Sequence, residues 1–516
     1  MIYCTCIYYN SLLNNNICEL ALVLFFTSNV MNNIPHIPKF AKRYKCNNQS
    51  IVKIDNLPTG LLNFSCIGNK IYKIQNLPES LETFNCDYNY ITKIENLPKT
   101  LKSFICSNNK ISRLRSLPTT LDELDCSGNY LWYLENLPSS LITLYCCDNL
   151  LTLLQNLPSN LQTLYCKRND IRYIENLPVN LLVFDCSYNV IPKIQGLPIN
   201  LHTFVCSFNT ITKIEDLPES LKIFNCSCNY ISVIENLPKN LLVFECMGNN
   251  ISTIQNLPIG LTSFTCDNNM ILVLQNLPQT LSVLRCDSNF ISKIQNLPDS
   301  LQKFYCTYNQ ITKIENLPES LHEFDCSNNQ IIKIENLPES LHEFVCSNNQ
   351  ITKIENLPES LQKFYCWANQ ITKIENLPAS LQEFVCWSNQ ITKIENLPES
   401  LQKFVCSSNQ ITKIENLPES LHEFVCNNNQ ITKIENLPES LQEFNCSENQ
   451  ITKIENLPAS LQKFRYRGNA IRWVDNVDYD RINFTILGYQ STKRLQKRRR
   501  RIAKMSCSII QDCVRD

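Results

Sequence analysis

The chain has 516 residues, with 47 Lys+Arg against 48 Asp+Glu and a formal net charge of −1. That balance excludes a bulk nucleic-acid binder, and Gly 8 leaves little material for phosphate-cradling loops. Pro 24 and Cys 28 are high, yet both recur at fixed spacing, which argues against low-complexity disorder and a small disulfide scaffold.

The first apolar run is LALVLFF, Leu20 to Phe26. It falls short of the ~20 residues a bilayer span needs. No basic residue precedes it, as a signal peptide would require. Residues 1–33 therefore read as an N-terminal leader or cap, with Met31 as a second candidate start.

A worn half-unit, IPHIPKF (Ile34 to Phe40), opens a repeat that runs to residue 476. Counted from Leu61, the unit reads L-x-x-F-x-C-x-x-N-x-I-x-x-I-x-N-L-P-x-x and returns every 20 residues without insertion. Cys holds position 6 at each step from Cys46 to Cys446, and Asn holds position 9 from Asn69 to Asn469. Periods of this length signal a solenoid, in which each unit buries its apolar face only against its neighbours. Period-2 alternation turns Phe364 and Cys366 inward and Tyr365 outward. Ile371, Ile374 and Leu377 complete the interior on the return path. Asn369 stands where the chain leaves the strand, and its amide is expected to bond backbone groups of its own coil and the next. Pro378 suits neither a sheet interior nor a helix, so the return path is expected to be extended or a single 3₁₀ turn. With strands about 4.8 Å apart, the coils from Ala41 to Leu461 span roughly 100 Å.

Residues 477–516 follow. Trp473, Val474, Val477, Tyr479 and Phe484 read as a closing cap, beside Tyr466, which ends the cysteine column. The tail then carries Lys493, Arg494, Lys497, Arg498, Arg499, Arg500, Arg501 and Lys504. It reads as a nuclear-localisation, nucleic-acid or anionic-membrane segment, or as a solvated helix or frayed terminus beyond the cap. It lacks the aromatic interleaving of a single-strand binder.

The segment LQKFYCWANQI (Leu361 to Ile371) resembles the leucine-rich repeat, with Phe364 and Cys366 in the second and third apolar slots. The short unit and the N-L-P-x-S-L junction are similar to the repeats of bacterial secreted effectors. They are also similar to giant-virus and amoebal repeats, some called FNIP. The resemblance implies an α/β-type, mostly β solenoid: a curved right-handed superhelix with its parallel sheet on the concave face and extended or 3₁₀ convex segments. It implies a monomeric binding scaffold acting on host proteins inside the cell, in the host cytoplasm or nucleus. The effector class often carries a large ubiquitin-ligase domain after its repeats; the short segment that follows Asn476 departs from that pattern, so a ligase is not expected. A substrate adaptor for such a ligase is the weakest reading, since an F-box exceeds the leader.

The cysteine column reads as buried small hydrophobes. A single Cys per repeat lacks the close pairs of a zinc site, and parallel Cβ vectors bridge poorly. Cys147 and Cys228 fall outside the column. Free thiols in this number fit a reducing, intracellular compartment. His202, His322, His342 and His422 share position 2 with Gln362, Gln382 and Gln402, a poor pattern for metal or catalysis. No catalytic constellation, metal site or cofactor is expected, and no transmembrane span.

Variation between units collects at positions 3, 5, 7 and 8, the outward face. Position 3 mixes signs (Lys303, Glu323, Glu343, Lys363), which can pair across the ladder. The run Val385 to Val425 at position 5 is apolar yet expected to face solvent, and Trp367 and Trp387 stand beside it. Exposed apolar surface with aromatic anchors points to a protein partner. The expected contact residues are Tyr305, Tyr365, Trp367, Val385, Trp387 and Val405. A spacer protein targeted by its basic tail is the alternative.

Overall fold

The computed structural model describes residues 37–471, except Gln295, Glu315, Glu335, Glu355, Glu375, Glu395, Glu415 and Glu455, together with the backbone of Asn483–Phe484. The leader, the cap residues Trp473, Val474, Val477 and Tyr479, and the basic tail lie outside the described residues. The described chain forms one 23-stranded sheet, in which each strand pairs in parallel with the strand of the next repeat. Asn483–Phe484 continues the register, pairing with Lys463 and Phe464.

Strands such as Lys363–Tyr365 and Glu383–Val385 are short because only positions 3–5 run straight. Within them Phe364 points into the core and is fully buried, as are Leu361, Cys366 and Ile371. Register stacks like on like, so Phe364 and Phe384 lie with centroids 5.6 Å apart and planes 6° from parallel. The return path is extended, not 3₁₀. Positions 13–14 make brief parallel pairings, as in Lys393–Ile394 with Lys413–Ile414. A turn follows, closed by the Leu361 amide donating to the Pro358 carbonyl at 3.1 Å.

The asparagine column bonds in one direction, and the direction differs from expectation. The Asn369 amide donates within its own coil to Cys366 (3.2 Å) and back to Cys346 of the preceding coil (3.0 Å). Its carbonyl oxygen accepts the Ile351 amide, also of the preceding coil, at 3.0 Å. The chain has just turned out of its strand at Asn369, so the side chain reaches the coil already laid down. A second ladder runs along position 20. There the Ser380 hydroxyl donates to the carbonyls of Glu359 (2.6 Å) and Leu361 (2.7 Å).

Two positions per coil adopt left-handed backbone. At position 16 φ is 55° for Asn356 and 54° for Asn376, with Ser116, Gly196 and Asp216 as the variants. Asn and Gly tolerate this region, whereas a bulky residue costs about 1–2 kcal/mol. That accounts for the fixed Asn of N-L-P. Position 8 is also left-handed in every described coil, yet it holds Tyr88, Arg168, Phe208 and Ala368 as well as Asn and Gly.

Candidate functional site

The outward rows of the long sheet split into layers. In row 3 the mixed charges pair along the ladder: Lys303 with Glu323 at 2.8 Å, Lys363 with Glu343 at 3.4 Å, and Lys403 with Glu423 at 3.1 Å. These side chains are more than a third exposed, so each pair contributes at most about 1 kcal/mol. The row is largely self-neutralised, and the remaining variation lies in rows 5 and 7.

Five of the six expected contact residues come together there. Trp367 and Trp387 stack with centroids 4.6 Å apart and planes 3° from parallel, both half-buried. In the same row, one coil earlier, Ser347 is fully buried. Tyr365 donates its hydroxyl to the Glu383 carboxylate at 2.7 Å. Burial first, and that hydrogen bond second, push its phenol well above the usual range. Val405 is half-buried. Val385, expected to face solvent, is instead buried at 8 % exposure. It sits in register between Tyr365 and Val405 on a face whose next outward residue is Trp387. The expectation that Val385 is open to solvent is thereby corrected: its outward side chain is covered by its neighbours on the sheet face.

Tyr305 stands three coils away and belongs to another cluster. The Arg285 guanidinium lies 4.6 Å from its ring centroid, and its hydroxyl donates to Glu323 at 2.5 Å. Arg285 also bonds Asp267 and Asp287, at 3.2 and 3.0 Å. This polar network pairs its own charges and holds the Tyr305 ring in place.

Sequence reasoning missed a third cluster. Tyr145 and Tyr165 stack at 5.2 Å, and Tyr188 and Phe208 stack at 4.1 Å. Lys167 and Arg168 lie 5.2 and 5.1 Å from the centre of the Tyr188 ring. The signal was present in successive aromatics within single columns, positions 5 and 8, whose register places them in contact.

The column cysteines are free and buried. Burial pushes the Cys46 thiol up to about 12 and the Cys366 thiol well above its ordinary value, in the second case with a contribution from Cys386. Cys147 is likewise pushed up to about 12 by burial, and Cys228 is raised. None of these has the lowered pKa of a nucleophile. His322 and His342 stack at 5.4 Å on the exposed flank. Among the described residues no group of three or more His, Cys, Asp or Glu could hold a metal ion, and no helix is long and apolar enough to cross a membrane.

No protein-family model matches the sequence, and no curated protein matches it. Solved structures do. YopM from Yersinia enterocolitica WA-314 is 25% identical, covering 86% of this chain and 91% of that one, with a TM-score of 0.69. CroV588, a circular leucine-rich-repeat protein, is 24% identical, covering 83% of this chain and 66% of that one, with a TM-score of 0.53. With its stacked coils, asparagine ladder and parallel sheet, the chain has the leucine-rich-repeat fold.

Proposed function

We propose that the chain is a non-catalytic interaction scaffold that docks a protein partner on the open face of its long sheet, the face expected to be concave. The observation that carries this reading is the Trp367–Trp387 stack. Two large indoles sit half-exposed beside Tyr365 and Val405, next to a charged row that already pairs with itself. Aromatic anchors bordered by near-neutral contacts are how protein interfaces concentrate their energy. The free thiols favour a reducing compartment, and hence action inside a cell. A viral or effector role toward host proteins rests on the resemblance of the repeat class alone.

Affinity capture from a host lysate under reducing conditions tests the site, comparing the wild type with Trp367→Ala/Trp387→Ala. The double variant is expected to lose the captured protein while its thermal transition stays nearly unchanged. Unaltered capture would reject the assignment. The self-paired row 3 also suits a spacer, in which the basic tail does the targeting. In that case removing residues 491–516 would relocate the chain and the tryptophan changes would have no effect.

A further inference from the structure

Position 8 is left-handed in every described coil, and three successive coils fill it with side chains poorly suited to it: Arg168 (φ 54), Tyr188 (φ 54) and Phe208 (φ 53). Other coils place Asn108, Asn268 or Asn328 there, or Gly68, Gly128 or Gly248. The fold therefore does not ask for the larger residues. Backbone strain that the architecture could have avoided marks places where the side chain has another task.

The three side chains assemble into one feature. Tyr188 and Phe208 stack at 4.1 Å with planes 11° apart, and the Arg168 guanidinium lies 5.1 Å from the Tyr188 centroid. Tyr188 keeps 36% and Phe208 41% of its surface exposed. The stack then stops, because the next two residues in the column are Cys228 and Gly248. Past Phe208 the column therefore carries a short thiol side chain and then none, and no further aromatic covers the Phe208 ring from that side.

Charge narrows the ligand. Arg168 already faces Asp148, at 3.7 Å. Lys167 lies 5.2 Å from the Tyr188 centroid and makes no ion pair among the described residues. Carboxylates stand exposed at Asp148, in the preceding coil, and at Asp170, in the same coil as Lys167. A single carboxylate can meet Lys167 between them. A nucleic-acid strand brings one phosphate per nucleotide and would run past those acids.

We propose that Lys167, Arg168, Tyr188 and Phe208 form a second recognition site, for a peptide segment of a protein partner that lays an aromatic ring on Phe208 and a carboxylate against Lys167. Phe208 and Trp367 are eight coils apart, roughly 38 Å at the strand spacing of ~4.8 Å, so this site stands apart from the tryptophan patch.

Fluorescence anisotropy on the full chain tests it, using labelled octapeptides with a Glu-Phe core, their Glu-Ala and Lys-Phe counterparts, and a labelled 12-nucleotide oligodeoxythymidine. The Glu-Phe peptide is expected to bind best. Phe208→Asn and Lys167→Gln should each weaken it by about fivefold or more, the loss typical of an interface anchor. Trp367→Ala/Trp387→Ala should leave it unchanged. The thermal midpoint of Phe208→Asn should hold or rise, since Asn tolerates the left-handed backbone. The proposal is overturned if Glu-Phe binds no better than its counterparts, if the oligonucleotide is preferred, or if Phe208→Asn lowers the midpoint and spares binding.

Discussion

Trp367 and Trp387 occupy the same position of adjacent coils and stack with planes 3° from parallel, while Ser347, one coil earlier, is sealed from solvent. Register makes the contact: strands one repeat apart pair without slip, so equal positions must meet. The solenoid thereby turns neighbours in a sequence column into neighbours in space, which is how two side chains become one surface.

The stack itself should be measurable. A double-mutant cycle of Trp367→Ala and Trp387→Ala, read by thermal or chemical unfolding, is expected to give a coupling of about 0.5–1.5 kcal/mol, the range for aromatic pairs. A coupling indistinguishable from zero would mean that the indoles are separate in solution.

Asn369→Ala should act locally. It removes the acceptor for the Ile351 amide and the donor for the Cys346 carbonyl, both buried. Each buried polar group left without a partner costs about 1–3 kcal/mol. Coils contact only their neighbours, so the damage should stay near residues 341–380. Hydrogen exchange is expected to accelerate at Ile351 and adjacent amides, with the coils before residue 280 unchanged. Uniform acceleration along the chain would contradict nearest-neighbour stability.

The inward columns were legible in the sequence because Leu361, Phe364, Cys366 and Ile371 repeat in phase and each phase has one apolar solution. Pro378 excluded a helical return path and left an extended path or a single 3₁₀ turn, of which the structure takes the first. Three features were not legible. The direction of the Asn369 bonds depends on which coil is already beside it. The burial of Val385 depends on its neighbours Tyr365 and Trp387, not on its own column. The left-handed position 8 is hidden because Tyr188 and Phe208 break the rule that would reveal it. The left-handed position 16 could have been read, since only Asn, Asp, Ser and Gly occupy it.

Gly196 isolates that backbone requirement. Its φ is +65°, and a Cβ added there would meet nothing within 4 Å. Gly196→Asn restores the residue of the other coils and should be close to neutral. Gly196→Val should destabilise by about 1–2 kcal/mol through backbone conformation alone. Equal unfolding midpoints for the two variants would show that the left-handed turn is relaxed at this coil.

The cysteine column makes stability depend on alkaline pH. Burial holds these thiols neutral, with Cys46 pushed up to about 12 and Cys366 well above its ordinary value of 9.0. The unfolded chain ionises its thiols near pH ~8.5–9. Above that point it binds fewer protons than the folded chain, so the stability present at lower pH is lost as pH rises. Each column thiol in a cooperatively unfolding block removes about 1.4 kcal/mol per pH unit there. The thermal midpoint, measured in reductant, should be flat from pH 7 to 8 and fall steeply from about 8.5 upward. Replacing Cys346, Cys366, Cys386 and Cys406 by Ala should make that fall shallower, because Ala has no proton to lose. Tyrosine and lysine titration would affect both chains equally, so the difference in slope belongs to the thiols. Identical slopes would mean that the column is open to solvent before the coils unfold.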